Sequence, residues 1–161
     1  MKLTRRLSLF FVVVFACAAF AQNAPTVTVP PLDTVVLARG GRTTLTIPLR
    51  VNRGFHVNSH KPNDELLVPT VIHLTPPQGI MIVNIQYPEG EQIAVPFMGD
   101  QKLSVYSNVF EVQAEVRADR AAGPGTYRVH GEVSYQACDN RQCFPPKNAP
   151  LEFDVKVTHK K

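Results

Sequence analysis

Apolar and polar residues alternate along most of this chain beyond its N-terminal segment, and this period of two constrains the fold more than any other feature. The alternation is strict over residues 127–136 and 151–158, and a similar pattern covers residues 43–51 and 109–116. Alternation places one face of a β-strand on an apolar core and the other face in water. The sequence therefore predicts an all-β protein.

Prolines and glycines separate these apolar runs. The chain contains 14 prolines and 9 glycines, which cluster between the runs, as in Gly40-Gly41 and Pro76-Pro77. Such residues end strands and exclude long helices, so a single helical turn near residues 64–67 is the most that we expect. Short strands with turn residues every ~8–12 positions favour an antiparallel β-sandwich. The expected strands lie near residues 26–29, 34–38, 42–51, 55–58, 69–74, 80–86, 103–106, 109–116, 126–137 and 149–157.

The first 21 residues have the pattern of a secretory signal peptide. Three basic residues precede an apolar run over residues 7–20, and the segment ends in Ala19-Phe20-Ala21. The apolar run is shorter than the ~20 residues that a membrane-spanning helix needs. We therefore predict a signal peptide at residues 1–21, cleaved after Ala21. A single exported domain at residues 22–161, without a transmembrane segment, would remain in the periplasm.

Cys17 leaves one alternative for the N-terminus. It lies inside the predicted signal peptide and follows the small residue Ala16, as in a lipoprotein processing site, although Phe15 fits such a site poorly. Either Cys17 is removed with the signal peptide, or it is lipidated and tethers the exported domain.

The charge of the chain does not indicate nucleic-acid binding. The whole sequence has 17 basic and 13 acidic residues, a net charge of +4. Three of the basic residues belong to the predicted signal peptide, which leaves 14 basic against 13 acidic residues and a net charge of +1. A nucleic-acid-binding domain is expected to carry a clustered positive excess. We therefore expect no nucleic-acid partner.

Two cysteines remain in the predicted exported domain, and they flank a short turn. Cys138 and Cys143 are separated by the polar sequence Asp139-Asn-Arg-Gln142. A four-residue loop between antiparallel strands brings its flanking residues to ~5.5 Å between Cα atoms, inside the range of a disulfide. Exported compartments allow disulfides to form and persist. The sequence therefore predicts a hairpin that can hold a Cys138–Cys143 disulfide.

The spacing of the cysteines leaves the role of this disulfide open. Closing a loop of about six residues stabilises a protein by ~2 kcal/mol in the chain-entropy model, whereas a bridge over 60 or more residues gives over ~4 kcal/mol. The disulfide would therefore add little to the stability of the fold, and a short-range bond of this kind is compatible with thiol–disulfide exchange. The alternatives are a binding module with a structural disulfide and, less directly, metal delivery by the reduced dithiol.

Other cofactor chemistry is not indicated. A structural zinc site needs four ligands at suitable spacings, whereas only two thiols are present and the five histidines form no paired motif. The C-x-x-C motif of thioredoxin-like oxidoreductases is also missing. We predict neither a cofactor nor a metal site.

The residues around the cysteines resemble a known redox hairpin. The sequence VSYQACDNRQCFPP at positions 133–146 combines Tyr-Gln-x-Cys, a polar loop and Cys-aromatic-Pro-Pro. It is similar to the active-site hairpin in the N-terminal periplasmic domain of the DsbD family of thiol:disulfide interchange proteins. A looser similarity covers residues 30–157. The resemblance implies an immunoglobulin-like sandwich with a C-terminal redox hairpin.

The resemblance also implies an electron path. The hairpin cysteines of the family accept electrons from a thioredoxin-like domain of the same system. They pass these electrons to periplasmic disulfide isomerases and to thioredoxin-like proteins of cytochrome maturation. The present sequence ends at Lys161, without the membrane domain and the thioredoxin domain of DsbD. We therefore expect thioredoxin-fold periplasmic partners and a separate membrane electron donor of the DsbD type.

Residue roles follow from the same resemblance. Cys143 would form the mixed disulfide with a partner, and Cys138 would resolve it. A cap loop shields the cysteines in the family, and Phe97 and Gly99 of the sequence Pro96-Phe-Met-Gly99 match its aromatic lid and its hinge. Phe97 could also be an ordinary core residue. The remaining candidates for the flank of the site are Tyr135, which could equally pack inside the core, and Phe144.

One strand departs from the family pattern. The family often carries tyrosines on the strand beneath the site, whereas this chain has His56 and Asn58 there. The contribution of those tyrosines is therefore expected to be lost or changed.

Overall fold

The computed structural model describes residues 26–159. The predicted signal peptide and Cys17 lie outside this range. The described part of the chain contains twelve β-strands and one short 3₁₀ helix. These elements are β1 (Val27–Thr28), β2 (Val35–Ala38), β3 (Arg42–Val51), β4 (His56–Asn58), β5 (Val71–Thr75), β6 (Ile80–Gln86), β7 (Glu91–Ala94), η1 (Pro96–Met98), β8 (Lys102–Ser107), β9 (Val109–Ala118), β10 (Gly125–Tyr135), β11 (Ala137–Cys138) and β12 (Lys147–Thr158).

Two four-stranded sheets form the sandwich. The first has the strand order β1-β3-β9-β6, and the second has the order β2-β12-β10-β5. All pairs in both sheets are antiparallel except β2 with β12, which is parallel. The predicted all-β, immunoglobulin-like antiparallel sandwich is confirmed.

The core between the sheets is built by the alternation seen in the sequence. In β9, Phe110, Val112, Ala114 and Val116 are buried, while most of the residues between them are exposed. The long strands β3, β10 and β12 show the same alternation. Each large aliphatic side chain that becomes fully buried contributes about 1.5–3 kcal/mol to folding. The sandwich therefore has a continuous apolar core.

A third, smaller sheet carries the cysteine hairpin. Its order is β11-β4-β8-β7, with antiparallel pairing throughout. Val57 of β4 and Ala137 of β11 lie opposite each other and contribute to the main core. On the opposite face of the sheet, Leu103 and Val105 of β8 form a small separate cluster with Val95. The third sheet thus joins the hairpin to the sandwich through one apolar face.

Some local predictions were wrong. Residues 64–67 form a hydrogen-bonded turn, in which Leu67 N donates to Asp64 O at 3.2 Å, rather than a helical turn. The helical segment is instead η1, where Pro96 suits the first turn of a helix. Strand β7 was not expected. The predicted strand at 126–137 ends at Tyr135, and β11 then pairs with a different sheet.

No helix of the described segment, residues 26–159, is long and apolar enough to cross a bilayer.

Candidate redox site

The cysteine hairpin closes more tightly than its sequence suggested. Cys138 and Cys143 form a disulfide, and their Cα atoms are 3.9 Å apart. Asp139 N donates to Gln142 O, and Phe144 N donates to Ala137 O. These two hydrogen bonds flank the cysteines, which makes them a non-hydrogen-bonded cross-strand pair. Such pairs approach more closely than hydrogen-bonded ones, so the expected Cα separation of ~5.5 Å was too long.

The turn is held by Asp139. Its Oδ1 accepts hydrogen bonds from Arg141 N at 2.7 Å and from Gln142 N at 2.9 Å. These bonds, together with the nearby charges of Arg141 and His56, hold the pKa of the Asp139 carboxyl below its ordinary value. An aspartate that binds amide groups two and three residues further on favours a tight turn. Asp139 is therefore ionised at neutral pH and fixes the hairpin tip.

The two sulfur atoms lie in different surroundings. Cys138 belongs to β11 and is completely buried, whereas Cys143 follows the turn and is partly exposed. Attack on a disulfide requires access to the sulfur that is attacked. The geometry therefore allows a partner thiolate to reach Cys143 and leaves Cys138 as the sulfur that departs.

Strand β4 places two polar side chains beside Cys138. His56 is the cross-strand neighbour of Cys138, and Asn58 lies two residues further along the same face. Both are buried, at 6% and 0% exposure. In the described part of the chain, His56 Nε2 and Asn58 Oδ1 have no hydrogen-bond partner. A buried polar atom without a partner costs about 1–3 kcal/mol, so two on one strand mark this face as unusual.

Burial also sets the charge of His56. Loss of hydration lowers the pKa of the imidazole, and the nearby Asp139 carboxylate partly opposes this effect. The ordinary value for histidine is 6.5, so His56 is neutral at pH 7.

Gln136 connects three segments beneath the hairpin. Its Oε1 accepts hydrogen bonds from Asn58 Nδ2 at 3.0 Å and from Val68 N at 3.1 Å. Its Nε2 donates to Phe144 O at 3.2 Å. Gln136 therefore fixes both arms of the hairpin relative to β4 and the 59–70 loop. This explains why the glutamine of the Tyr-Gln-x-Cys motif matters, which the spacing of the motif could not show.

The aromatic candidates lie in different places. Phe144 flanks the disulfide and packs against Phe55, with ring centroids 5.8 Å apart. Tyr135 is 1% exposed and belongs to the sandwich core, where its hydroxyl accepts a hydrogen bond from Val27 N at 3.4 Å. Phe55 was not assigned a role from the sequence, although it lies within residues 30–157, which the looser family similarity covers.

Phe97 and Gly99 lie in the connection between β7 and β8. Phe97 is on η1 and 37% exposed, and Gly99 follows with a φ of 60° that favours glycine. The segment η1 follows β7, whose last residue pairs with Lys102 at the start of β8. Cys138 pairs with His56, which pairs with Ser107 at the end of β8. Five residues of strand correspond to roughly 16 Å. The roles of Phe97 as a lid and of Gly99 as a hinge stay predictions.

Metal ligands are not clustered in the described region. Residues 26–159 contain no group of three or more His, Cys, Asp or Glu side chains arranged to hold a metal ion.

Two solved structures with TM-scores of 0.51 share the fold of this chain, and a third is similar at a lower score. The N-terminal periplasmic domain of ScsB from Proteus mirabilis is 14% identical with a TM-score of 0.51; the match covers 80% of this chain and 44% of that one. The seventh ScaB type I cohesin from Pseudobacteroides cellulosolvens also has a TM-score of 0.51, at 10% identity and coverages of 84% and 94%. The reduced DsbD N-terminal domain from Neisseria meningitidis is 22% identical, with coverages of 80% and 83% and a TM-score of 0.40.

Function does not follow from this fold alone, because a cohesin and a ScsB domain share it. No curated protein sequence matches the chain at a significant level. The family described as "Thiol:disulfide interchange protein DsbD, N-terminal" matches residues 26–154, which include the sandwich and the cysteine hairpin. The chain therefore belongs to the family of DsbD N-terminal domains, a family of thiol–disulfide interchange modules.

Proposed function

We propose that this protein relays reducing equivalents between thioredoxin-fold proteins outside the cytoplasm, by cycling Cys138 and Cys143 between disulfide and dithiol. The observation that carries the proposal is the unequal exposure of the two cysteine residues within one short hairpin. A fixed staple needs no accessible sulfur, whereas exchange requires one sulfur to be reached and the other to leave.

The proposed cycle has two steps. A thiolate of a reduced partner attacks Cys143 Sγ, the Cys138–Cys143 bond breaks, and the electron pair goes to Cys138 Sγ. A second partner thiol then resolves the mixed disulfide and leaves the hairpin as a dithiol. The dithiol reduces the next partner by the reverse sequence, with Cys143 attacking and Cys138 resolving.

The cellular setting is part of the proposal. We place the domain of residues 22–161 in the periplasm after removal of residues 1–21, with electrons supplied by a separate membrane donor of the DsbD type. Proteins of cytochrome maturation are among the thioredoxin-fold acceptors that we propose. Phe97 would cover the disulfide until a partner moves it, with Gly99 as the hinge.

Single-cysteine variants test the order of attack. Cys138→Ala leaves the partly exposed Cys143 thiol, which should form a mixed disulfide with an oxidised thioredoxin-fold periplasmic protein. Cys143→Ala leaves only the buried Cys138 thiol and should form at least tenfold less of the adduct. The measurement is the yield of adduct on a non-reducing gel and its release by reductant.

The double variant Cys138→Ala/Cys143→Ala is the matched control and should give no adduct. An adduct formed mainly by Cys143→Ala would reverse the assignment of the two sulfurs. If neither single variant forms an adduct, the disulfide is a structural staple and the relay is excluded.

A further inference from the structure

His56 faces Cys138 across two hydrogen-bonded strands. Directly opposed residues of antiparallel strands have side chains on the same face, with Cβ atoms ~4.5–5.5 Å apart. His56 is paired with Cys138 in this way, while Val57 and Ala137 point to the opposite face and join the core. The disulfide pairing places the Cys143 side chain on the same face as His56. The imidazole therefore lies beside the sulfur that leaves.

The position of His56 is costly for a purely structural residue. The residue is 94% buried, and its Nε2 has no hydrogen-bond partner among residues 26–159. The hydrogen bonds that organise the site use Gln136 and Asp139 instead. The His56 Nε2 is therefore shielded from water and makes no hydrogen bond that stabilises the fold. It can accept a proton from a neighbouring group whose protonation changes during the redox cycle.

Such a group is the Cys138 thiol. In the dithiol form it is buried, and it must become a thiolate before it attacks a mixed disulfide on Cys143. Burial in apolar surroundings disfavours a free thiolate. A base within reach of Cys138 would remove this barrier.

We propose that His56 accepts the proton of the Cys138 thiol during resolution, an inference that rests on the relay function proposed above. Nε2 takes the proton as Cys138 Sγ attacks Cys143 Sγ. The new S–S bond forms within the hairpin, the bond between Cys143 and the partner breaks, and its electron pair leaves on the partner sulfur. The imidazolium then returns the proton to the departing partner thiolate or to water. In the opposite direction, His56 accepts a proton from the attacking partner thiol or from water and passes it to Cys138 as Cys138 leaves.

The surrounding charges suit this role. Asp139, which follows Cys138, is the carboxylate whose charge reaches His56 and would stabilise the imidazolium. Arg141 is a positive charge that acts on Asp139. From β8, the residue opposite His56 is the uncharged Ser107. Burial keeps the imidazole neutral at pH 7, which is the form that accepts a proton. Sequence comparison alone had marked His56 only as a departure from the family's tyrosines.

The test uses the reduced full-length exported domain and the aromatic disulfide DTNB. Attack by Cys143 releases one thionitrobenzoate ion, and attack by Cys138 on the resulting mixed disulfide releases a second. In the wild type, the second release should slow as His56 becomes protonated below pH 6.5. In His56→Gln, the second release should be at least tenfold slower at pH 7, while the first release is unchanged. The rate of the second release should then increase with pH as the Cys138 thiol ionises near the ordinary thiol pKa of ~8.5.

The control variant is His73→Gln, because His73 is exposed on β5 of the sandwich. It should match the wild type in both phases. His56→Leu is a second variant, and far-ultraviolet circular dichroism checks that each protein folds. Unchanged second-phase rates in folded His56 variants would overturn the proposal. The proposal would also be overturned if, in the wild type, the rate of the second release had the same pH dependence as the rate of the first. This comparison requires no variant.

The two proposals fail separately in these experiments. DTNB is a small molecule, so it reports the proton transfer within the hairpin without a protein partner. A normal wild-type DTNB reaction together with no adduct in the trapping experiment would exclude the relay and leave the chemistry of His56 intact. Adducts in the trapping experiment together with unaltered DTNB kinetics in the His56 variants would support the relay and exclude the proposed role of His56.

Discussion

At Cys138 and Cys143, the two ends of one bond have different neighbours. Cys138 is completely buried and paired with β4, beside a neutral imidazole, whereas Cys143 adjoins the exposed turn. Attack on a disulfide needs access to the attacked sulfur, and the partly exposed Cys143 offers more access than Cys138. The surroundings of the two cysteines therefore make the two sulfur atoms inequivalent in exchange, although the disulfide bond itself is symmetric.

His56 should also make the stability of the domain depend on pH. Its pKa is lowered in the folded state, so the unfolded chain binds this proton more readily and stability falls as the pH drops below the ordinary value of 6.5. Asp139 and Asp154, whose pKa values are lowered from 3.8, affect stability only in more acidic solutions. We expect the urea midpoint of the wild type to fall between pH 8 and pH 5.

The variant His56→Gln should lose less stability over the same range, because it removes the group that titrates. The quantity to compare is the change in the urea midpoint between the two pH values, at equal slope of the unfolding transition. Equal changes in the wild type and the variant would show that His56 does not couple folding to protonation.

At the scale of single elements, close strand packing explains one glycine. Gly131 of β10 faces Leu74 of β5, and a Cβ on Gly131 would lie 2.7 Å from Leu74 Cδ2 and also against the carbonyl oxygen of His73. The backbone oxygen cannot move without disturbing the β5–β10 pairing. The sandwich sheet that contains β5 and β10 thus requires a residue without a side chain at position 131.

Gly131→Ala should therefore destabilise the domain by about 1–3 kcal/mol. The matched control is Gly123→Ala, because a Cβ on Gly123 would meet its nearest neighbour, Tyr127 Oη, at an ordinary 3.7 Å. The control should change stability by less than ~0.5 kcal/mol. Chemical denaturation of both variants measures the difference, and equal effects would contradict the packing argument.

Elements with a strong local pattern could be predicted from the sequence, whereas those that depend on distant partners could not. The period of two located β3, β9 and β12 to within two residues at each end. The break between β10 and β11 depends on Gln136, whose partners lie near residues 58, 68 and 144. Such contacts between distant segments have no local signature. For the same reason, the motif around the cysteines indicated the redox pair but not the imidazole beside it.

For the whole molecule, the sandwich and the disulfide are largely independent sources of stability. The core extends across both sandwich sheets, while the disulfide closes a loop with a sequence separation of five residues. A relay protein must remain folded in both redox states. The architecture is compatible with the proposed relay, because the Cys138–Cys143 disulfide lies outside the main core.

Reduction should therefore lower stability only slightly. The chain-entropy estimate for this loop is about 2 kcal/mol, which corresponds to a fall in Tm of about 7 °C for a domain of this size. Calorimetry with and without a reductant gives the difference directly. A loss of the cooperative transition on reduction would show that the disulfide holds the fold together and would argue against a relay.

The hydrogen bonding of the hairpin also bears on aggregation. Because Cys138 and Cys143 form a non-hydrogen-bonded pair, the backbone N–H and C=O of Cys143 point outward from the edge of the third sheet. The next outward position is Pro145, which has no N–H. An open sheet edge usually invites pairing with a strand of another molecule, and proline blocks such pairing. The edge at which Cys143 is partly exposed is thereby a poor template for β-sheet association between copies of the protein.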